Sequence, residues 1–130
     1  MEKRFTLGKM ERLKSRKQIE LLFSEGKKFS ITPFRVHYVF NELTNPPLQF
    51  GVGVSNKNFK KAIDRNRIKR LVREAYRLQK VALQQKIKEK QGQLNIFFIY
   101  NGKEIPGYSG IFDKMKKVLD KLGHLIDSEN

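Results

Sequence analysis

The chain has 130 residues, no cysteine and a formal charge of +15, with an isoelectric point near 10.2. The lack of cysteine excludes disulfides, thiol nucleophiles and thiolate-bound zinc, and it suits the reducing cytoplasm, where we expect the protein to act. No apolar run approaches the roughly 20 residues of a membrane span, and the length predicts a single domain over residues 1–130.

The positive charge is unevenly distributed along the chain. Residues 57–90 carry 13 Lys or Arg against 3 acidic residues, and so hold +10 of the total. Repulsion within such a segment destabilises the folded state unless a partner neutralises it. A polyanionic partner is therefore expected, with nucleic acid the first candidate.

The N-terminal part predicts one helix followed by a short strand. Residues 14–25 have the apolar spacing of a helix, and Gly26 is positioned to end it. Residues 27–30 predict the strand.

Two alternating segments predict two further strands, at 34–40 and 48–55, joined by a turn at 41–47. One face of the first strand carries Arg35, His37 and Val39. One face of the second is nearly bare of side chains, so that another backbone segment can approach it closely; it comprises Gln49, Gly51, Gly53 and Ser55.

The C-terminal part predicts a long helix, a buried strand and a last helix. The long helix extends from about residue 59 to the high 80s, and the strand covers 94–100. Ser109 is a candidate N-cap for the last helix. Its predicted packed stripe is Ile111, Met115, Val118, Leu119, Leu122 and Leu125. The order α-β-β-β-α-β-α indicates an α+β fold with helices on one side of the sheet and a partly open second side.

The long helix separates its apolar and basic residues. The predicted buried stripe is Ile68, Leu71, Val72, Ala75 and Ala82. The opposite stripe is cationic, without an acid, and is flanked by Arg65 and Arg67; it comprises Asn66, Lys69, Arg70, Arg73, Arg77 and Lys80. A solvated helix face usually interleaves the two signs of charge, so the pattern favours contact with nucleic acid over a solvated face or an acidic protein partner. Three lysines add charge at the helix start, where free amides also attract phosphate: Lys57, Lys60 and Lys61.

No motif for catalysis or metal binding stands out. The two histidines, His37 and His124, occur without a metal-binding pattern, and no Ser–His–acid or paired-carboxylate motif is present. We therefore predict no catalytic residue and no metal ligand in this chain. For His37 both a structural role and a role on an RNA-binding face remain open.

Three segments resemble the protein subunit of bacterial ribonuclease P. They are RLKSRKQIELLFSEGKK (12–28), FGVGVSNKNFKKAIDRNRIKR (50–70) and LNIFFIY (94–100), the last followed by a terminal helix. The resemblance implies an α/β sandwich like the second domain of ribosomal protein S5, with a left-handed β-α-β crossover. The common crossover is right-handed.

The resemblance also implies a function. The family's protein assists a catalytic RNA that removes the 5′ leader from precursor tRNA, and the Mg²⁺ ions of the reaction are held by that RNA. The implied partners are ribonuclease P RNA and the 5′ leader, with no membrane. The alternatives are a ribosome-associated RNA-binding protein without a role in cleavage, and a module for membrane surfaces or acidic proteins.

The resemblance assigns residues to two surfaces. The RNA-binding motif is Arg65, Asn66, Arg67, Lys69 and Arg70. The leader cleft is Ile19, Phe23, Arg35, His37, Val39 and Ser55, with Lys57 at its edge. Ile19, His37 and Asn56 depart from the family pattern, so leader stacking is expected to depend more on Phe23 and His37.

Overall fold

The computed structural model describes residues 12, 13, 15–42 and 48–128. Four helices and four strands follow in the order α1 (Arg16–Glu25), β1 (Lys27–Ile31), β2 (Phe34–Glu42), β3 (Leu48–Val54), α2 (Ala62–Gln79), α3 (Val81–Glu89), β4 (Gly92–Tyr100) and α4 (Tyr108–Asp127). The predicted α+β class is confirmed. Most of the turn predicted at 41–47 lies outside the described residues, and its first two residues belong to β2.

The four strands form one mixed sheet in the order β1-β2-β4-β3. β2 pairs antiparallel with β1 and β4, whereas β3 and β4 are parallel and are connected through α2 and α3. This connection is the β-α-β crossover that the resemblance implies; its left-handed sense stays an expectation.

The main core lies between one face of the sheet and the helices α2, α3 and α4. Alternation decides which strand residues enter it: Phe34, Val36 and Tyr38 of β2 are buried on this side, as are Ile96 and Phe98 of β4. The first helix lies on the other face, against β2 and β4. That face is therefore partly covered by α1, which leaves room for a cleft beside the helix.

The start of α1 follows from its capping chemistry. The Ser15 side chain accepts a hydrogen bond from the backbone N–H of Gln18, and the N–H of Gly26 donates to the carbonyl of Leu22 at the other end. The predicted helix at 14–25 is thus confirmed, two residues shorter. Ahead of it, the backbone N–H of Leu13 donates to the carbonyl of Phe50, so Arg12 and Leu13 lie beside β3.

The prediction of one long helix from about residue 59 is wrong, because this segment forms two helices, α2 and α3, that meet at Lys80. Lys80 was expected on the cationic stripe but is only 1% exposed, while Ala82, expected in the core, is exposed. The interruption rotates the buried side, so that α3 packs through Leu83 and Ile87 instead. The second of these helices, α3, continues without interruption to Glu89.

The last helix begins earlier than predicted. Its N-cap is Gly107, and Ser109 lies within the first turn. The predicted stripe is buried except for Leu125, which is half-buried, and Ile126 is buried in addition. Within the described part of the chain no helix combines the length and the apolar character that crossing a membrane requires.

Candidate nucleic-acid interface

The cationic side of α2 faces away from the core. Ile68, Val72, Ala75 and Tyr76 are buried against the sheet, and the Tyr76 ring stacks on Phe50 of β3 with 4.0 Å between ring centroids. Because this apolar side is buried, the opposite side of α2 points outward. It is called here the basic face of α2 and comprises Asn66, Arg67, Lys69, Arg70 and Arg73. All of these are exposed except Lys69, which is half-buried. The sequence prediction placed these five residues correctly on the outer side of the helix.

The N-terminal segment adds a cation that sequence periodicity could not assign. Arg12 pairs with Phe50 at the edge of the sheet and is exposed. Partial burial lowers the pKa of Arg73, and repulsion from the nearby Arg12 lowers it further. An anion bound between the two guanidinium groups would relieve this repulsion.

Arg77 has an acidic partner within its own helix. Its Nε and Nη2 atoms donate to the two carboxylate oxygens of Glu74, at 3.0 and 2.7 Å. The hydrogen bond from Arg77 lowers the pKa of Glu74, and the same bond raises the pKa of Arg77. The expectation that no acid accompanies the stripe is therefore wrong at its C-terminal end, where Arg77 is less free to take a phosphate.

The loop before α2 is held by hydrogen bonds from one of its own side chains and from a side chain in the first turn of α2. Phe59 is buried, and the Asn58 amide donates to the carbonyls of Asn101 and Gly102. The Arg65 Nη1 atom donates to the carbonyls of Phe59 and Lys60, each at 2.8 Å. Arg65, predicted as an RNA ligand, thus holds this loop from the first turn of the helix.

The predicted lysines lie where this loop meets the helix. Lys57, Lys60 and Lys61 are all exposed, and Lys61 is the N-cap residue of α2 without a side-chain capping bond. The first amides of α2 are therefore available beside exposed ammonium groups, an arrangement that attracts phosphate.

The second surface is the cleft beside α1. Phe23 is 44% exposed and lies against two aromatic rings of the sheet. Its centroid is 4.5 Å from that of His37 on β2 and 5.3 Å from that of Phe97 on β4. The structure therefore brings the predicted residues Phe23 and His37 together and adds Phe97, which the sequence pattern assigns only to a buried strand.

His37 forms part of the cleft floor. It is 8% exposed, and burial lowers its pKa, with further lowering by the charges of Lys28 and Arg35. The neutral imidazole is thereby favoured, so His37 contacts the Phe23 ring as an uncharged aromatic group. Lys28 lies opposite His37 on β1 and supplies a cation that the predicted cleft did not include.

The remaining predicted cleft residues lie on α1, on β2 and just after β3. Ile19 and Val39 are half-buried and Arg35 is exposed. Ser55 is also half-buried, and its hydroxyl accepts a hydrogen bond from the N–H of Lys57. Its oxygen therefore helps to shape the turn towards the lysines.

The glycine face of β3 is occupied by an aromatic ring. A Cβ atom at Gly51 would lie 2.7 Å from Cδ2 of Phe97, and one at Gly53 would lie 3.2 Å from Cε1 of the same ring. The backbone of Leu13 also approaches Gly51, as the sequence analysis anticipated for a face without side chains. The two glycines thus allow Phe97 to lie flat beside the cleft.

Within the residues described, no three of His, Asp and Glu come together in a way that could hold a metal ion. That the magnesium is held by the RNA stays a prediction.

A basic helix face and an aromatic cleft on one mixed sheet are typical of nucleic-acid-binding proteins of the α+β class. The family model described as Ribonuclease P matches residues 7–123. The chain belongs to the ribonuclease P protein family.

Individual relatives agree with this assignment. A ribonuclease P protein component from Porphyromonas gingivalis is 38% identical over 125 residues, which cover 95% of this chain and 91% of the relative. One from Dictyoglomus turgidum is 32% identical over 88% of this chain and 87% of the relative. The solved RNase P protein from Thermotoga maritima is 27% identical, with a TM-score of 0.66 over 85% of this chain and 96% of that one.

Proposed function

We propose that this chain is the protein subunit of ribonuclease P and promotes removal of the 5′ leader from precursor tRNA. Membership in the family is the observation that carries the proposal. The two surfaces support a division of work, in which the basic face of α2 binds ribonuclease P RNA and the cleft beside α1 binds the leader.

The basic face suits structured RNA. Arginine donates two parallel hydrogen bonds to a phosphate, and Arg67, Arg70 and Arg73 are exposed on one side of a rigid helix. Asn66 adds a neutral donor and acceptor for a base edge or a 2′-hydroxyl. Lys57, Lys60 and Lys61 extend the same charge to the helix start.

The cleft suits a single strand. Single-stranded nucleic acid is bound by aromatic rings that stack on bases and by cations that follow the backbone. Phe23 offers an exposed ring supported by His37 and Phe97, while Lys28 and Arg35 provide charge on the neighbouring strands. Recognition in this part of the cleft would depend on stacking and charge.

Hydrolysis of the phosphodiester is assigned in this proposal to the RNA and the Mg²⁺ that it holds, with the protein acting in the cytoplasm as a binding subunit. The protein's contribution is to hold the leader beside the RNA and so raise the fraction of productively bound precursor. Free of RNA, the chain is then inactive.

Reconstitution tests this function directly. The purified chain is added to a bacterial ribonuclease P RNA at low magnesium concentration, and release of the 5′ leader from precursor tRNA is followed. We expect stimulated cleavage at the mature 5′ end, and no cleavage by RNA-free protein. A chain that binds the RNA without stimulating leader removal would instead be a structural RNA-binding protein.

A further inference from the structure

An exposed tyrosine lies where the start of α4 meets α2. The other three tyrosines of the chain, Tyr38, Tyr76 and Tyr100, are buried, whereas Tyr108 keeps 37% of its surface exposed. Ile105, in the segment before α4, is exposed to the same extent. Tyr108 therefore presents a ring outside both the core and the cleft beside α1.

Direct contacts join the start of α4 to the end of α2. The Tyr108 and Phe112 rings lie 5.9 Å apart between centroids, and the Phe112 carbonyl accepts a hydrogen bond of 3.0 Å from Nε2 of Gln79 in α2. Burial raises the pKa of the Tyr108 phenol, the charge of Glu74 raises it further, and the charge of Arg77 lowers it. Tyr108 therefore lies at the end of α2 that carries the Glu74–Arg77 ion pair.

This end of α2 continues the basic face. Arg70 and Arg77 are seven residues apart and so lie on the same side of the helix, and Leu78 beside them is 39% exposed. The two hydrogen bonds to Glu74 fix the plane of the Arg77 guanidinium, and such a plane can stack on aromatic rings and bases. Cations, a fixed guanidinium plane and a tyrosine ring thus occur together at the junction of α2 and α4.

These groups fit an unpaired base of an RNA. A duplex presents phosphates and groove edges, whereas an aromatic side chain needs the face of an unstacked base. Proteins bind such bases by stacking them on aromatic rings or guanidinium planes while cations hold the adjoining phosphates. Residues 57–90 hold +10 of the total charge, which favours RNA over an apolar protein segment as the partner.

The position of Tyr108 in the fold indicates which RNA it would meet. The helices α2 and α4 pack on one face of the sheet, and α1 lies on the other. A leader bound beside α1 is therefore separated from Tyr108 by the sheet. An RNA on the basic face of α2 reaches the start of α4 directly.

We propose that Tyr108 stacks on an unpaired base of ribonuclease P RNA, so that the RNA-binding surface extends from the basic face of α2 to the start of α4. The inference rests on the proposed function, which supplies the identity of the RNA. It adds an aromatic contact to a surface otherwise made of cations and one asparagine.

Fluorescence detects the stack directly. The chain contains no tryptophan, so Tyr108→Trp gives an emission from this position alone, and an indole ring can take over the stack. Adding ribonuclease P RNA without tRNA should quench this emission, whereas precursor tRNA alone should not. Lys117→Trp, at an exposed position of the same helix, is the matched control and should keep its emission with either RNA.

Affinity shows what the ring contributes. Tyr108→Ala should weaken binding of ribonuclease P RNA about tenfold, within the range for one base–aromatic stack. Tyr108→Phe keeps the ring and should stay within about twofold of the unaltered chain. Because stacking releases no counterions, the plot of log affinity against log salt should shift without changing its slope. Leu21→Ala removes an exposed apolar side chain from α1, across the sheet, and should leave the affinity unchanged.

The outcomes separate this contact from the proposed function. Stimulated leader removal by the unaltered chain, together with equal RNA affinities of this chain and Tyr108→Ala, overturns the stack alone. A flatter salt slope in Tyr108→Ala also overturns it, because the loss would then come from charge. Unchanged emission from Tyr108→Trp overturns the stack even if Tyr108→Ala does not fold. Quenching by ribonuclease P RNA in a chain that fails to stimulate leader removal supports the stack and overturns the function.

Discussion

The Phe23 ring lies against the His37 imidazole with 4.5 Å between centroids and an interplanar angle of 45°. His37 is buried while Phe23 keeps nearly half of its surface exposed, so the histidine supports the ring from below. Phe97 meets the same ring edge-on from the next strand. An aromatic surface that is fixed before any ligand arrives loses little side-chain entropy on binding.

Replacing Phe23 tests this surface. Phe23→Ala should weaken binding of leader-bearing precursor by ~1–3 kcal/mol, the value of one base–aromatic stack, and leave binding of mature tRNA unchanged. Fluorescence titration of both RNAs measures the difference. Phe23→Leu, which keeps apolar volume but removes the ring, should resemble the alanine variant; a loss shared equally by both RNAs would indicate a purely structural role.

The exposed arginines of the basic face should determine the salt dependence of RNA binding. Each phosphate contact contributes roughly 0.7–0.9 to the slope of log affinity against log salt, so Arg67→Ala with Arg70→Ala should flatten it by about 1.4–1.8. Affinity for ribonuclease P RNA between low and moderate salt gives the slope. Lys103→Ala with Lys117→Ala removes the same charge outside this face and should change the slope much less; equal effects of the two pairs would mean that only net charge matters.

Arg65 should behave differently from its neighbours in the motif. Because its guanidinium holds two carbonyls of the preceding loop, Arg65→Ala should lower the free energy of unfolding by about 1–2 kcal/mol. Arg67→Ala, on the same turn but exposed, should stay within about 0.5 kcal/mol of the unaltered chain. Urea unfolding measures both, and equal stabilities would show that the two hydrogen bonds contribute nothing to the fold.

Acid should destabilise the protein through His37. Burial lowers the pKa of this imidazole below its ordinary value of 6.5, so the unfolded chain takes up a proton at a higher pH than the folded chain. The stability due to neutral His37 is complete above about pH 6.5 and is lost as pH falls towards the lowered pKa. His37→Gln should therefore show a shallower fall in unfolding free energy between pH 7 and pH 5 than the unaltered chain, and parallel curves would contradict the assigned burial.

Much of the fold is predictable from local pattern. The periodicity of Ile68, Val72 and Ala75 identified the buried side of α2 and, by exclusion, the basic face that carries Arg67 and Arg70. Alternation likewise placed Arg35 and His37 on one face of β2. Both inferences succeed because side-chain direction within a regular element is set by backbone geometry alone.

The features that sequence could not supply depend on contacts between distant segments. The sequence alone determined where the strands and most of the helices lie, which side of α2 is charged and, through the resemblance, the family. Only the tertiary structure decided that Lys80 is buried at a helix junction, that Arg65 is engaged by loop carbonyls, and that Phe97 fills the space above two glycines. It also decided that Tyr108 stays exposed where the start of α4 meets α2. Periodicity gives the direction of a side chain, but its partners depend on which strand lies next to which and on how α1 crosses the sheet, and those are properties of the packed chain.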